Sequence, residues 1–114
     1  MKLECEGRIS SAEATEAEIR EAFADDAGRG EFIILAEAEQ VYIQAAGQGY
    51  GPYSVEYRDG SADRHFQSVR DAGKAEVEAV FLKYLARDAT WQTDLQWKPL
   101  EAKPGQMKPW WKFW

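Results

Sequence analysis

Cysteine and histidine each occur once in this chain of 114 residues, and proline only four times. A lone Cys5 forms no disulfide within the chain. With His65 as the single imidazole, neither a cysteine zinc site nor a multi-histidine metal site can be assembled, so no cofactor and no metal is expected. No run of about 20 apolar residues exists to span a membrane. The opening MKLECEGRIS lacks the apolar stretch of a signal peptide, so a cytoplasmic location is expected. Basic charge is scarce too: 14 Lys and Arg stand against 20 Asp and Glu, a formal charge of −6. That balance opposes the phosphate backbone from which nucleic-acid binders draw most of their affinity, and nucleic acid is the disfavoured partner.

What is present is an ordinary globular mixture, 45% hydrophobic and 30% charged, at a length that suits one domain. Residues 1–10 alternate, with Leu3, Cys5, Gly7 and Ile9 on one side, the period of a half-buried strand. Cys5 then reads as a small buried hydrophobe rather than a reactive thiol. Ser10 with Glu13, and Thr15 with Glu18, have capping-box spacing, and Ile19, Ala22 and Phe23 form the apolar stripe of a helix that follows. Phe32 to Ala36 is the most apolar run and predicts a central strand. Alternation continues over Gln40–Ala46 and Tyr53–Arg58. Asp59-Gly60 is a hairpin signal leading to a strand over Asp63–Val69. Val77, Val80, Phe81, Tyr84 and Leu85, at i, i+3, i+4, i+7 and i+8, predict a second amphipathic helix. A short segment with Trp91, Leu95 and Trp97 comes next.

The order β-α-β-β-β-β-α describes an α+β domain: a curved antiparallel sheet with two helices packed on one face. Residues 1–98 form the domain. Residues 99–114 form an extended tail, where Pro99, Pro104, Pro109 and Gly105 preclude a long helix.

Three features are candidates for function. The Gly47–Pro52 loop lacks the Lys-Ser/Thr and the following helix of a phosphate cradle, so it reads as a hairpin loop, with Tyr50 placed to touch a partner. Strands Tyr53–Arg58 and Asp63–Val69 put Glu56, Arg58 and His65 on one face. A hairpin loop of four residues sets Arg58 opposite Asp63 and Glu56 opposite His65. A Glu–His pair is the minimum for general acid–base chemistry, with Arg58 to hold an anion, although a solvated polar face needs no such role. The third feature is the tail's close, where Trp110, Trp111, Phe113 and Trp114 surround Lys112. Such a cluster either folds back over the sheet, docks on another chain, or anchors at a membrane surface or on stacked bases. Lys98, Lys103, Lys108 and Lys112 against Glu101 give residues 98–114 a charge of +3, whereas residues 1–26 carry three basic and eight acidic side chains.

The stretch from Val41-Tyr42-Ile43-Gln44-Ala45 through Tyr53–Gly60 and His65-Phe66, with Val77–Leu85 and Trp91–Trp97, resembles small bacterial domains of unknown function. Over residues 31–98 it is also similar in pattern to immunity proteins of polymorphic toxin systems. The resemblance implies a binding protein that neutralises a partner, and a charge of −6 suits a basic one.

The resulting expectation is a non-enzymatic protein-interaction domain. Tyr42, Tyr50, Glu56, Arg58 and His65 would lie on the sheet side, and Trp110, Trp111, Phe113 and Trp114 would act as anchors for a partner or for self-association. The alternatives are a small-ligand binder or enzyme using Glu56, Arg58 and His65, and a single-stranded nucleic-acid binder.

Overall fold

The structure is a computed structural model and describes residues 1–6, 8–24 and 31–100. Among the described residues, seven strands form one antiparallel sheet in the order β2-β1-β3-β4-β5-β6-β7. They are β1 (Lys2–Cys5), β2 (Arg8–Ser11), β3 (Phe32–Ala38), β4 (Val41–Ala46), β5 (Ser54–Asp59), β6 (His65–Ser68) and β7 (Trp97–Pro99). The helices are α1 (Glu16–Ala24), α2 (Lys74–Leu85) and a single turn, α3 (Trp91–Asp94). The architecture is α+β, as the element pattern predicts.

The single strand expected over residues 1–10 is instead a hairpin, β1 paired with β2. Glu6 sits in the left-handed region at φ +48°, which turns the chain back after Cys5. Of the two capping boxes, the second starts the helix. The Thr15 hydroxyl accepts from the Glu18 N–H at 3.2 Å, and the Glu18 carboxylate accepts from the Thr15 N–H at 3.0 Å. The same carboxylate accepts the Ser11 hydroxyl at 3.0 Å, tying β2 to the helix start; these bonds hold the Glu18 carboxyl below its usual range.

One face of the sheet carries the main core. Leu3, Cys5, Ile33, Leu35, Ile43, Ala45 and Val55 meet Ile19 and Phe23 of α1 and the α2 stripe Val77, Val80, Phe81 and Tyr84. Phe23 stands edge-on to Phe81 with ring centroids 5.3 Å apart. Tyr57, Trp91 and Trp97 close the far end of this core, Tyr57 meeting each indole edge-on.

The hairpin between β5 and β6 corrects the expected register. Ala62–Arg64 forms a 3₁₀ turn, so the connection is longer than four residues. Arg58 therefore pairs with His65 and Glu56 with Gln67, rather than Arg58 with Asp63 and Glu56 with His65. An even change in loop length preserves the face and shifts the pairing.

β7 lies at the sheet edge, where Pro99 costs no ladder bond. The Leu100 N–H then donates to the His65 carbonyl at 2.8 Å. Residues 101–114, with Trp110, Trp111, Phe113 and Trp114, lie outside the described residues.

Candidate functional site

The strands hold the polar candidates in rows across the face opposite the helices. Register puts Lys2, Ala36, Tyr42, Arg58 and His65 in one row. Glu4, Ile34, Gln44, Glu56 and Gln67 form the next row. Arg58 and His65 are direct cross-strand neighbours, and Glu56 reaches His65 along the diagonal.

These side chains form a closed network. The Arg58 Nε–H donates to His65 Nδ1 at 3.1 Å, and its Nη1 donates to Gln40 Oε1 at 2.6 Å. On the other side of the ring, His65 Nε2 lies 2.7 Å from Glu56 Oε1. A guanidinium can only donate, so Nδ1 accepts and the neutral ring carries its proton on Nε2, which donates to Glu56. Tyr42 meets the imidazole edge-on at 6.1 Å, and the Arg58 guanidinium lies 5.8 Å from the Tyr42 ring centroid. Long-range nitrogen–proton NMR correlation is expected to find the His65 proton on Nε2. A neutral ring protonated on Nδ1 would contradict this geometry.

The network is not an open acid–base site. His65 is 3% exposed and Tyr42 is fully buried. A general base needs a lone pair facing its substrate, and the Nδ1 lone pair is already taken by Arg58. Tyr42 and His65 are thus packed inside the chain, not displayed to solvent. Glu56 and Arg58 are half-buried beside them. Gln40, which reads in the sequence as the first residue of the alternating run to Ala46, lies in the turn before β4 and completes the network; only the fold reveals it. Among the described residues no cluster of His, Cys, Asp and Glu could hold a metal ion.

On the helix side a cavity of about 220 Å³ opens between the ends of β3 and β5 and helices α2 and α3, bordered by Glu37, Tyr57, Tyr84, Arg87 and Trp91. It is smaller than the roughly 300–1,000 Å³ of typical ligand pockets. An ion pair between Arg87 and Glu37 lies at its border.

Burial pushes the hydroxyls of Tyr42 and Tyr84 above their ordinary 10.0. Glu56 adds to the effect at Tyr42 and Glu37 at Tyr84, against Arg58 and Arg87. The folded chain therefore keeps phenol protons that the unfolded chain releases. Stability from this source is complete below about pH 10 and falls as the pH rises further. The urea midpoint should decline above about pH 10, and Tyr42→Phe and Tyr84→Phe should each flatten the decline. An equal slope in all three proteins would contradict the assignment.

Tyr50 is placed differently. It is 87% exposed, on a loop tied down at several points. The Gly47 N–H donates to the Glu31 carbonyl at 2.6 Å, and the Lys74 N–H to the Tyr50 carbonyl at 3.0 Å. The Tyr53 hydroxyl donates to the Gly49 carbonyl at 2.9 Å. Below the loop, Tyr53 and Ala72 exchange two backbone bonds of 2.8 Å. A Cβ on Gly47 would lie 2.6 Å from the Pro52 carbonyl oxygen, so this corner admits only glycine. The Lys74 ammonium stands 5.3 Å from the Tyr50 ring centroid. Lys74 is the first residue of α2, and its place beside Tyr50 is visible only in the fold.

Searches of protein families, characterised proteins and solved structures return no match to this chain. Among the described residues, no helix is long and apolar enough to cross a membrane.

Proposed function

We propose that this chain is a non-enzymatic protein-interaction domain whose partner seats on the 47–52 loop around Tyr50. The observation that carries this reading is a large aromatic side chain held 87% exposed by a loop with fixed backbone. Aromatic anchors presented without conformational freedom are what interface hot spots are made of, because little ordering entropy is lost on binding. The saturated state of His65 supports binding over catalysis. The formal charge of −6 favours a basic partner, in line with the immunity-protein resemblance. A free, buried Cys5 suits a reducing compartment such as the cytoplasm.

Affinity capture with the full chain supplies the partner, and titration against Tyr50→Ala tests the site. The variant should melt with the wild type and bind about 30-fold more weakly, the effect of losing a hot spot of about 2 kcal/mol. A partner that binds both proteins equally well removes the loop from the interface.

A further inference from the structure

The cavity beside α2 and α3 lies across the sheet from the His65 network, and it borders the end of α2 remote from the Tyr50 loop. Neither feature accounts for it. Its volume of about 220 Å³ exceeds the roughly 150 Å³ that is enough to hold a benzene ring. One long side chain fits it. Tyr84 and Trp91 wall it, and Tyr84 is only 7% exposed. The Tyr84 hydroxyl nevertheless makes no hydrogen bond among the described residues. That oxygen is not sealed from solvent, so the space it opens to is the cavity. A polar atom buried to this degree needs a hydrogen-bonding partner.

Charge selects the kind of ligand. Glu37, near the end of β3, and Asp59, at the end of β5, bring two carboxylates to the border. Burial is the first reason that the Tyr84 hydroxyl keeps its proton, and of the charges Glu37 and Asp59 act on it more strongly than Arg87. At Tyr57 burial again leads, and Asp59 outweighs Arg64. The potential at both hydroxyls is therefore negative and favours a cation. Among the described residues the acids do not form a metal-binding cluster, so the cation is an organic one.

The chain itself shows which organic cation the border accepts. Arg87 pairs its guanidinium with Glu37 there. It does so from an unfavourable backbone: it follows the cap of α2 at φ +59°, where helices commonly place glycine. The pair is loosely held, since its side chains are 65% and 40% exposed, and exposed ion pairs contribute little. Arg87 can turn into solvent and leave Glu37 to a second guanidinium, one that also fills the cavity. A guanidinium is more weakly hydrated than an ammonium and packs on aromatic rings, and its methylene stem suits the walls.

We infer that the cavity receives the arginine side chain of a basic partner, with its guanidinium taking the place of Arg87 on Glu37 and donating to the Tyr84 hydroxyl while its stem lies along Trp91. Arg87 is then a latch that weakens this binding. That the arginine belongs to a protein rests on the interaction reading above; the cation preference of the cavity does not.

The test is a titration of the ¹⁵N-labelled full chain, followed by NMR at the backbone amides of Glu37, Tyr84 and Trp91. The probes are Nα-acetylargininamide and its uncharged isostere, Nα-acetylcitrullinamide. The arginine compound should shift these signals and the citrulline compound should not. Arg87→Gly, which suits the left-handed backbone, should bind the arginine compound about fivefold more tightly, and Glu37→Gln about fivefold more weakly. Equal shifts from both probes, or no gain in Arg87→Gly, would overturn the proposal. Much tighter binding of free arginine than of the blocked form would make the α-carboxylate part of recognition and overturn the assignment to a partner's side chain. The probes do not involve the 47–52 loop, so a failure here leaves the Tyr50 reading standing, and a failure of Tyr50→Ala to weaken a partner leaves the cavity standing.

Discussion

Phe81→Ala should lower the stability of the fold by about 3–5 kcal/mol, the cost of emptying a buried phenylalanine site. Phe81 is fully buried at the middle of α2 and holds Phe23 of α1 edge-on, so the change removes the ring that joins the two helices. Phe23 in turn leans on Tyr53, with ring centroids 6.0 Å apart, at the foot of the Tyr50 loop. A domain of this size has only about 5–15 kcal/mol in total, so the variant should be partly unfolded at physiological temperature. Urea unfolding is the check: the midpoint falls steeply while the slope stays that of the wild type. Phe81→Leu refills most of the volume and should cost less than half as much. If the alanine and leucine variants lose equal stability, the edge-on ring contact and not the cavity dominates.

The stripe containing Phe81 was legible because a helix writes its buried face into its own spacing. Val77, Val80, Phe81 and Tyr84 are the buried residues of α2 and occupy the periodic positions. Thr15 and Glu18 likewise reported a local bond pair that needs nothing distant. Strand faces were legible for the same reason, since alternation is local. Ile43 and Ala45 do face the helices, and Tyr42 and Gln44 do face away. What alternation does not encode is how deeply the side chains of a face are packed, so Tyr42 and His65 read as a polar surface and turn out to be buried. It does not encode register either. The 3₁₀ turn at Ala62–Arg64 changes the hairpin by an even number of residues, which leaves Glu56, Arg58 and His65 together on one face while exchanging their partners. The first hairpin is a different case: Cys5 pairs with Arg8 and Glu4 with Ile9, so alternation read straight through residues 1–10 does not carry past the turn after Cys5. Gln40 and Lys74 gave no signal, because their roles depend on contacts with residues 18 and 24 positions away.

The arrangement around His65 predicts a second large effect. Arg58→Leu should cost about 2–3 kcal/mol, although the side chain is only half-buried, because it strands two acceptors at once. His65 Nδ1 and Gln40 Oε1 both lose their donor, and the imidazole loses the group that fixes its tautomer. Replacing His65 as well, in Arg58→Leu/His65→Leu, removes one stranded acceptor and offers apolar atoms to the Tyr42 ring. The pair should therefore cost at least about 1 kcal/mol less than the sum of the single changes, as contacting members of one network do. Denaturant unfolding of the four proteins of the cycle measures this directly. Additive losses would mean that the guanidinium and the imidazole merely lie side by side. A coupled result would show that Arg58 is there to hold the His65 ring oriented toward Glu56, so the polar residues of this face act as a structural unit rather than as reagents.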